Sequence, residues 1–80
     1  MDEIDLRLEI PDAANSIEVR VSTTPAGGVV EIFRAVDDDD PLVMPDGAET
    51  ILGAPEARKL FVVPRTPLES YRLQVTRWFI

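Results

Sequence analysis

Ile17-Glu18-Val19-Arg20-Val21-Ser22 alternates apolar and polar side chains over six positions without a slip. A strand repeats every two residues, so Ile17, Val19 and Val21 share one face while Glu18, Arg20 and Ser22 share the other. One dry face and one wet face predict a strand lying on a core. On its N-terminal side, Pro11-Asp12-Ala13-Ala14-Asn15 has turn chemistry. Before that turn, Ile4, Leu6, Leu8 and Ile10 alternate with Asp5, Arg7 and Glu9, which predicts a first strand of the same kind. On its C-terminal side, Thr24-Pro25-Ala26-Gly27-Gly28 is a turn whose glycines permit positive φ. Val29 to Val36 then predicts a third strand, with Val30 and Ile32 on one face and Val29 and Phe33 on the other. A strand apolar on both faces belongs in the middle of a sheet.

The rest of the chain keeps the same rhythm in shorter pieces. Leu42-Val43-Met44 is a short strand, Pro45-Asp46-Gly47 a turn, and Glu49 to Leu52 a short edge-type strand. Pro55-Glu56-Ala57-Arg58 can form one helical turn, with Pro55 at its first position. Leu60 to Val63 is apolar and stops at Pro64, which cannot donate to a ladder. From Tyr71 onward, Tyr71, Leu73, Val75 and Phe79 are expected on one face, with Arg72, Gln74 and Thr76 opposite. Arg77, Trp78 and Phe79 break that alternation, and a bulge there would explain it. Short strands with turn signals every eight to twelve residues predict one all-β domain over residues 1–80. Its architecture should be a small antiparallel β-sandwich or a partly open barrel.

Composition narrows the function. Eighty residues carry 15 acidic and 8 basic side chains, a net charge of −7. Nucleic acid and anionic membrane surfaces both require the opposite balance, so neither is an expected partner. With no His and no Cys, the commonest general base and the thiol nucleophile are missing. An acidic-pair hydrolase needs two carboxylates across a cleft, for which so small a domain has little room. No enzyme activity and no cofactor are expected. Asp37-Asp38-Asp39-Asp40 resembles a cation loop only in its charge, because no Gly or following Glu stands at calcium-loop spacing. It reads as a solvated hairpin tip, and no metal site is assigned. Met1-Asp2-Glu3-Ile4-Asp5 has neither a basic nor an apolar leader region, so no signal peptide is expected. No apolar run is long enough to span a bilayer.

Pro67, Tyr71, Leu73 and Val75 carry a resemblance. Pro, a Tyr four residues on and apolar residues two and four after the Tyr resemble a corner of the fibronectin type III and immunoglobulin-like sandwiches. The resemblance implies that Pro67 sets the approach to the strand, while the Tyr71 hydroxyl bonds to upstream backbone and its ring enters the core. Leu68 replaces the usual Gly after that Pro, and the second strand lacks the core Trp of the fibronectin type. The resemblance also implies that Tyr71 to Phe79 is a penultimate strand, so that either the sandwich is permuted or short or a neighbouring chain supplies the final edge. The stretch from Val29 to Phe79 is similar to small Ig-like domains of bacteriophage virion proteins. It shares a strand ending at Phe33-Arg34, a Pro-Asp-Gly turn, Gly53-Ala54, and Pro67-Leu68 leading to Tyr71-Arg72.

Arg77, Trp78, Phe79 and Ile80 are the candidate partner contacts, with Trp78 expected to face away from Tyr71 and Leu73. Large apolar side chains are costly to leave in water, and Trp and Arg are frequent interface anchors. The same residues could instead close this domain's own core. The Ile4 to Ile10 strand is a second candidate, as an exchanged edge. The expected role is a non-enzymatic structural or assembly protein, such as a capsid decoration subunit or minor head or tail protein. Its partners would be capsid or tail subunits or further copies of itself, and its location the virion, assembled in the host cytoplasm. The competing readings are a free-standing binding module for a peptide or glycan and an acidic inhibitor protein.

Overall fold

A computed structural model describes residues 1–80 and contains strands but no helix. The seven strands are β1 (Asp2–Asp5), β2 (Ser16–Thr24), β3 (Val29–Phe33), β4 (Leu42–Pro45), β5 (Glu49–Gly53), β6 (Lys59–Pro64) and β7 (Ser70–Phe79). They form two antiparallel sheets, one of order β1-β6-β3-β4 and one of order β5-β2-β7. No helix is long and apolar enough to cross a membrane. The all-β expectation stands, and the two layers are those of a small β-sandwich.

The opening stretch has the predicted arrangement. Ile17, Val19 and Val21 are completely buried, and β2 lies between β5 and β7. β3 is central in the other sheet, with Val30 and Ile32 buried beneath it. Inward residues of both sheets meet in a core of twelve aliphatic or small side chains, including Leu6, Ile10, Met44, Leu52, Leu60 and Val62. Each fully buried Leu, Ile or Val contributes about 1.5–3 kcal/mol relative to exposure. The third strand ends at Phe33 rather than Val36, because Arg34 turns the chain. Its N–H and Nε both donate to Asp38 Oδ2, at 3.0 and 3.2 Å.

The first predicted strand is the main correction. β1 stops at Asp5, and residues 6–10 curl into a turn in which Glu9 N–H and Ile10 N–H both donate to the Leu6 carbonyl, at 3.0 and 3.1 Å. The Asp5 carboxylate triggers it by accepting the Arg7 N–H at 2.9 Å and the Arg7 guanidinium. Those bonds hold Asp5 down at about pKa 2, the side-chain bond from Arg7 being the largest cause. Residues i and i+4 share a side both in a strand and in a helical turn, so Leu6 and Ile10 are buried either way. Leu8 decides between them, and it is fully exposed. The Ile4 to Ile10 strand therefore does not exist as an exchangeable edge. What exists of it, β1, pairs with β6 of its own domain. The Pro55–Arg58 segment is a single turn, closed by Arg58 N–H on the Pro55 carbonyl at 3.0 Å.

One margin of the sandwich is closed by the turn between β4 and β5. Ala48 N–H reaches the Pro45 carbonyl at 2.9 Å, with Gly47 at φ 85°, where a side chain would be strained. Asp46 ties this turn to the end of β2 and the following loop: Oδ1 accepts Thr23 N–H at 2.9 Å and Oδ2 accepts Gly27 N–H at 3.0 Å. Gly28 packs close by, where a Cβ would overlap Leu68 and crowd Thr23 Oγ1 at 2.9 Å.

Two outcomes check this picture. Leu6→Ala and Ile10→Ala should each cost about 2–5 kcal/mol in denaturant unfolding, whereas Leu8→Ala should stay within about 0.5 kcal/mol of wild type. A true strand over residues 4–10 would make all three costly. Asp46 is held below the ordinary carboxylate value by the N–H groups of Gly27 and Thr23. The folded state thus favours its ionised form, so this stabilisation is complete above the ordinary value of 3.8 and is lost as pH falls through the lower folded value. Melts followed by circular dichroism should show Asp46→Asn less stable than wild type at neutral pH, with the difference shrinking in acid.

Candidate functional site

The other margin, between β1 and β7, is open. Both are edge strands, one from each sheet, and a single side-chain bond spans them: Tyr71 Oη donates to Asp2 Oδ2 at 2.8 Å. Beside this bond lies a cleft of about 600 Å³ lined by Asp2, Ile4, Pro64, Leu68, Tyr71, Arg72 and Leu73, among others. Tyr71, Leu73 and Val75 lie opposite Thr23, Val21 and Val19, so they face the core. They are nevertheless only half-buried, because no strand of the other sheet extends over them.

The predicted corner takes a different form here. The Tyr71 ring does pack against the core, but its hydroxyl bonds the Asp2 side chain of β1 rather than upstream backbone. Burial is the main cause that pushes the Tyr71 phenol up to about pKa 12, with the Asp2 hydrogen bond and charge adding to it. Pro67 lies in the exposed connection between β6 and β7, as the approach to the strand requires.

Arg77, Trp78, Phe79 and Ile80 do not act as one group. The register along β7 slips at Thr76: Val19 pairs with Val75, yet Glu18 pairs with Arg77. This is the bulge that the broken alternation implied, and it reverses the faces beyond it. Trp78 therefore lies opposite Ile17 on the same face as Tyr71, Leu73 and Val75, contrary to the expectation that it faces away from them. It sits at the open margin with 47% of its surface exposed. Arg77 and Phe79 are on the outer face, where the guanidinium lies 5.2 Å above the Phe79 ring and Nη2 bonds Glu18 Oε2 at 3.1 Å. Glu18 is held below its ordinary value by hydrogen bonds, first from Thr76 and then from Arg77. Ile80, just beyond β7, is 83% exposed.

The Asp37–Asp40 run is a folded tip organised by one carboxylate. Asp38 Oδ1 accepts Asp40 N–H at 2.9 Å while Oδ2 is taken by Arg34, whose Nη2 also reaches the Asp40 carbonyl at 2.9 Å. These backbone N–H groups, Arg34's first, hold Asp38 below its ordinary value. No group of three or more acidic side chains converges anywhere as a metal ligand set.

A second apolar surface escaped the sequence reading as a site. On the outer face of the four-stranded sheet, Phe33 lies opposite Phe61, with Val29, Val63 and the half-exposed Val43 nearby. The signal was present in Leu60-Phe61-Val62-Val63 and in β3, both apolar on two faces. That pattern located β3 as a central strand, while no central place was expected for Leu60 to Val63, and it left open whether anything covers the second face. No protein-family model, curated protein or solved structure matches the chain.

The phenol offers a direct check, since the chain contains one Tyr. Absorbance at alkaline pH should show Tyr71 ionising near 12, and Asp2→Asn should lower that midpoint without returning it to 10, because burial remains. An unchanged midpoint would mean that Asp2 does not hold the hydroxyl.

Proposed function

We propose that the chain is a non-enzymatic structural or assembly protein acting through protein–protein contacts, as a virion component such as a capsid decoration subunit or a minor head or tail protein. The supporting observation is the placement of its aromatic side chains. Phe33, Phe61, Tyr71, Trp78 and Phe79 are the only aromatic residues, and none belongs to the buried core. Aromatic side chains dominate core energetics where they are buried and are enriched as anchors where proteins meet. Here the fully buried core is aliphatic, four of the aromatic side chains are only partly buried and Trp78 is exposed. All five lie in strands rather than in the end loops, which favours contact through sheet faces and margins over capture of a peptide or glycan by loops. The virion assignment draws on the resemblance of Val29–Phe79 to the small Ig-like domains of bacteriophage virion proteins.

Quantitative mass spectrometry of particles purified from the virus whose genome encodes the chain would test this reading. The chain should be present at a fixed copy number per particle, and Trp78→Glu should remove it. Trp78 lies opposite the buried Ile17, so a melt of the isolated variant followed by circular dichroism should first establish that it still folds cooperatively. Absence of the wild-type chain from particles would overturn the assignment.

A further inference from the structure

The sandwich has four edge strands, and three of them are blunted. β4 follows Pro41 and ends at Pro45, β5 has five residues and ends at Gly53, and β1 has four residues of which Asp2, Glu3 and Asp5 are acidic. β7 is different. It runs ten residues with no Pro, Gly or carboxylate and pairs only with β2, leaving half its N–H and C=O groups directed outward. It also carries Arg72, which stands apart from the other basic residues. Six of those form ion pairs within the chain, and Arg58 donates to the carbonyls of Asp12 and Ala14. Arg72 has no such partner, in a protein with net charge −7.

The two edges at the open margin thus have complementary charge, β1 acidic and β7 basic. They also run in the same direction. β6 ends and β7 begins at one end of the sandwich, joined by residues 65–69, and β1 begins at that end too, since Asp2 pairs with Val62 and reaches Tyr71.

Building on the reading of this chain as a contact protein, we propose that it forms a two-fold dimer through the open margin, with β1 of each copy added to β7 of the other. An axis parallel to the strands carries the four-stranded sheet of one copy into line with the three-stranded sheet of the second. Each sheet of the dimer then has seven strands, and β1 of each copy covers four of the ten residues along the β7 edge. Glu3 faces outward, because its cross-strand partner is Phe61, and its carboxylate, 3.4 Å from Lys59 Nζ of its own chain, comes level with Arg72 of the partner subunit and so lies between two cations. Ile4 faces inward and comes level with the partly buried Leu73 of the partner subunit. The alternative axis, perpendicular to the sheets, would set β1 on β1 and β7 on β7. Like charges would then confront each other on both sheets, which is unfavourable.

Each strand junction is limited to the four residues of β1, so the contact is small and the dimer is expected to be weak and concentration-dependent. Repulsion between two net charges of −7 acts mostly beyond the Debye length of about 8 Å at physiological salt, whereas a Glu3–Arg72 contact lies well within it.

Sedimentation equilibrium of the full chain from micromolar to millimolar concentration, at physiological salt, tests the dimer. Wild type should dimerise reversibly. Arg72→Glu and Glu3→Arg should each raise the dissociation constant at least about tenfold, because two-fold symmetry counts each change twice. The double variant should restore it to within about threefold. All four chains should fold at low concentration, Arg72→Glu melting like wild type and the chains with Glu3→Arg slightly lower for loss of the exposed Lys59–Glu3 ion pair. A wild-type monomer throughout the range would overturn the proposal, as would a dimer indifferent to the single changes or a double variant that fails to recover. None of those results bears on whether the chain is found in particles, so the contact-protein reading stands or falls separately.

Discussion

A sandwich made of unequal sheets must be fastened along at least one margin, and here the Asp46 carboxylate does this. Its two oxygens collect N–H groups from Thr23 at the end of β2 and from Gly27 in the following loop. The adjoining backbone continues the junction, with Asp46 N–H on the Gly28 carbonyl at 2.9 Å and Gly47 N–H on the Val21 carbonyl at 2.8 Å. Two segments distant in sequence, residues 21–28 and the turn at 46–47, are thereby locked where the chain crosses between sheets. Everything on the opposite margin is left with weaker means of closure, a single Tyr71–Asp2 hydrogen bond.

That asymmetry explains how the core is distributed. Fully buried residues lie under β2, β3 and β6, the strands flanked on both sides, together with Leu6 from the turn after β1. Inward residues of β7 stay half-buried although their spacing is correct, because burial needs a covering layer as well as a face. An 80-residue chain has little core to spare, and leaving five aromatic side chains at most partly buried forgoes stabilisation that most small domains use. Such a choice is consistent with surface that is completed by contact.

Alternation made most of the fold legible. Ile17, Val19 and Val21 located β2, the double-sided apolar pattern of Val29 to Phe33 located a central strand, and Pro45-Asp46-Gly47 located a turn. Two failures share one cause: period-two reading assumes an uninterrupted ladder. Leu6 and Ile10 satisfy both a strand and a helical turn, and the Asp5–Arg7 hydrogen bonds, a local side-chain effect, decide between them. At Thr76 the inserted residue was foreseen, but the reversal of faces that it imposes on Trp78 follows only once the slipped pairing with β2 is known. The Tyr71 hydroxyl partner was illegible for another reason. Asp2 lies 69 residues away, and no local pattern marks a side-chain bond across two sheets.

Edge strands without protection usually invite indiscriminate pairing, and charge is the cheapest defence against it. This chain applies that defence unevenly. The acidic excess covers β1, the 37–40 tip and the turns, so that random encounters between copies meet repulsion over most of the surface. β7 is exempt, with two arginines and no carboxylate along ten residues. Its bulge adds twist that an arbitrary flat strand would not match. A long edge that is basic, twisted and backed by half-exposed apolar residues therefore excludes most partners by geometry and selects the remainder by charge. On this view the β7 margin is selective rather than merely unfinished. The acidic excess elsewhere, 15 acidic against 6 basic side chains, and the two arginines on β7 are in the proposed dimer parts of the same device, one discouraging general association while the other admits a single kind.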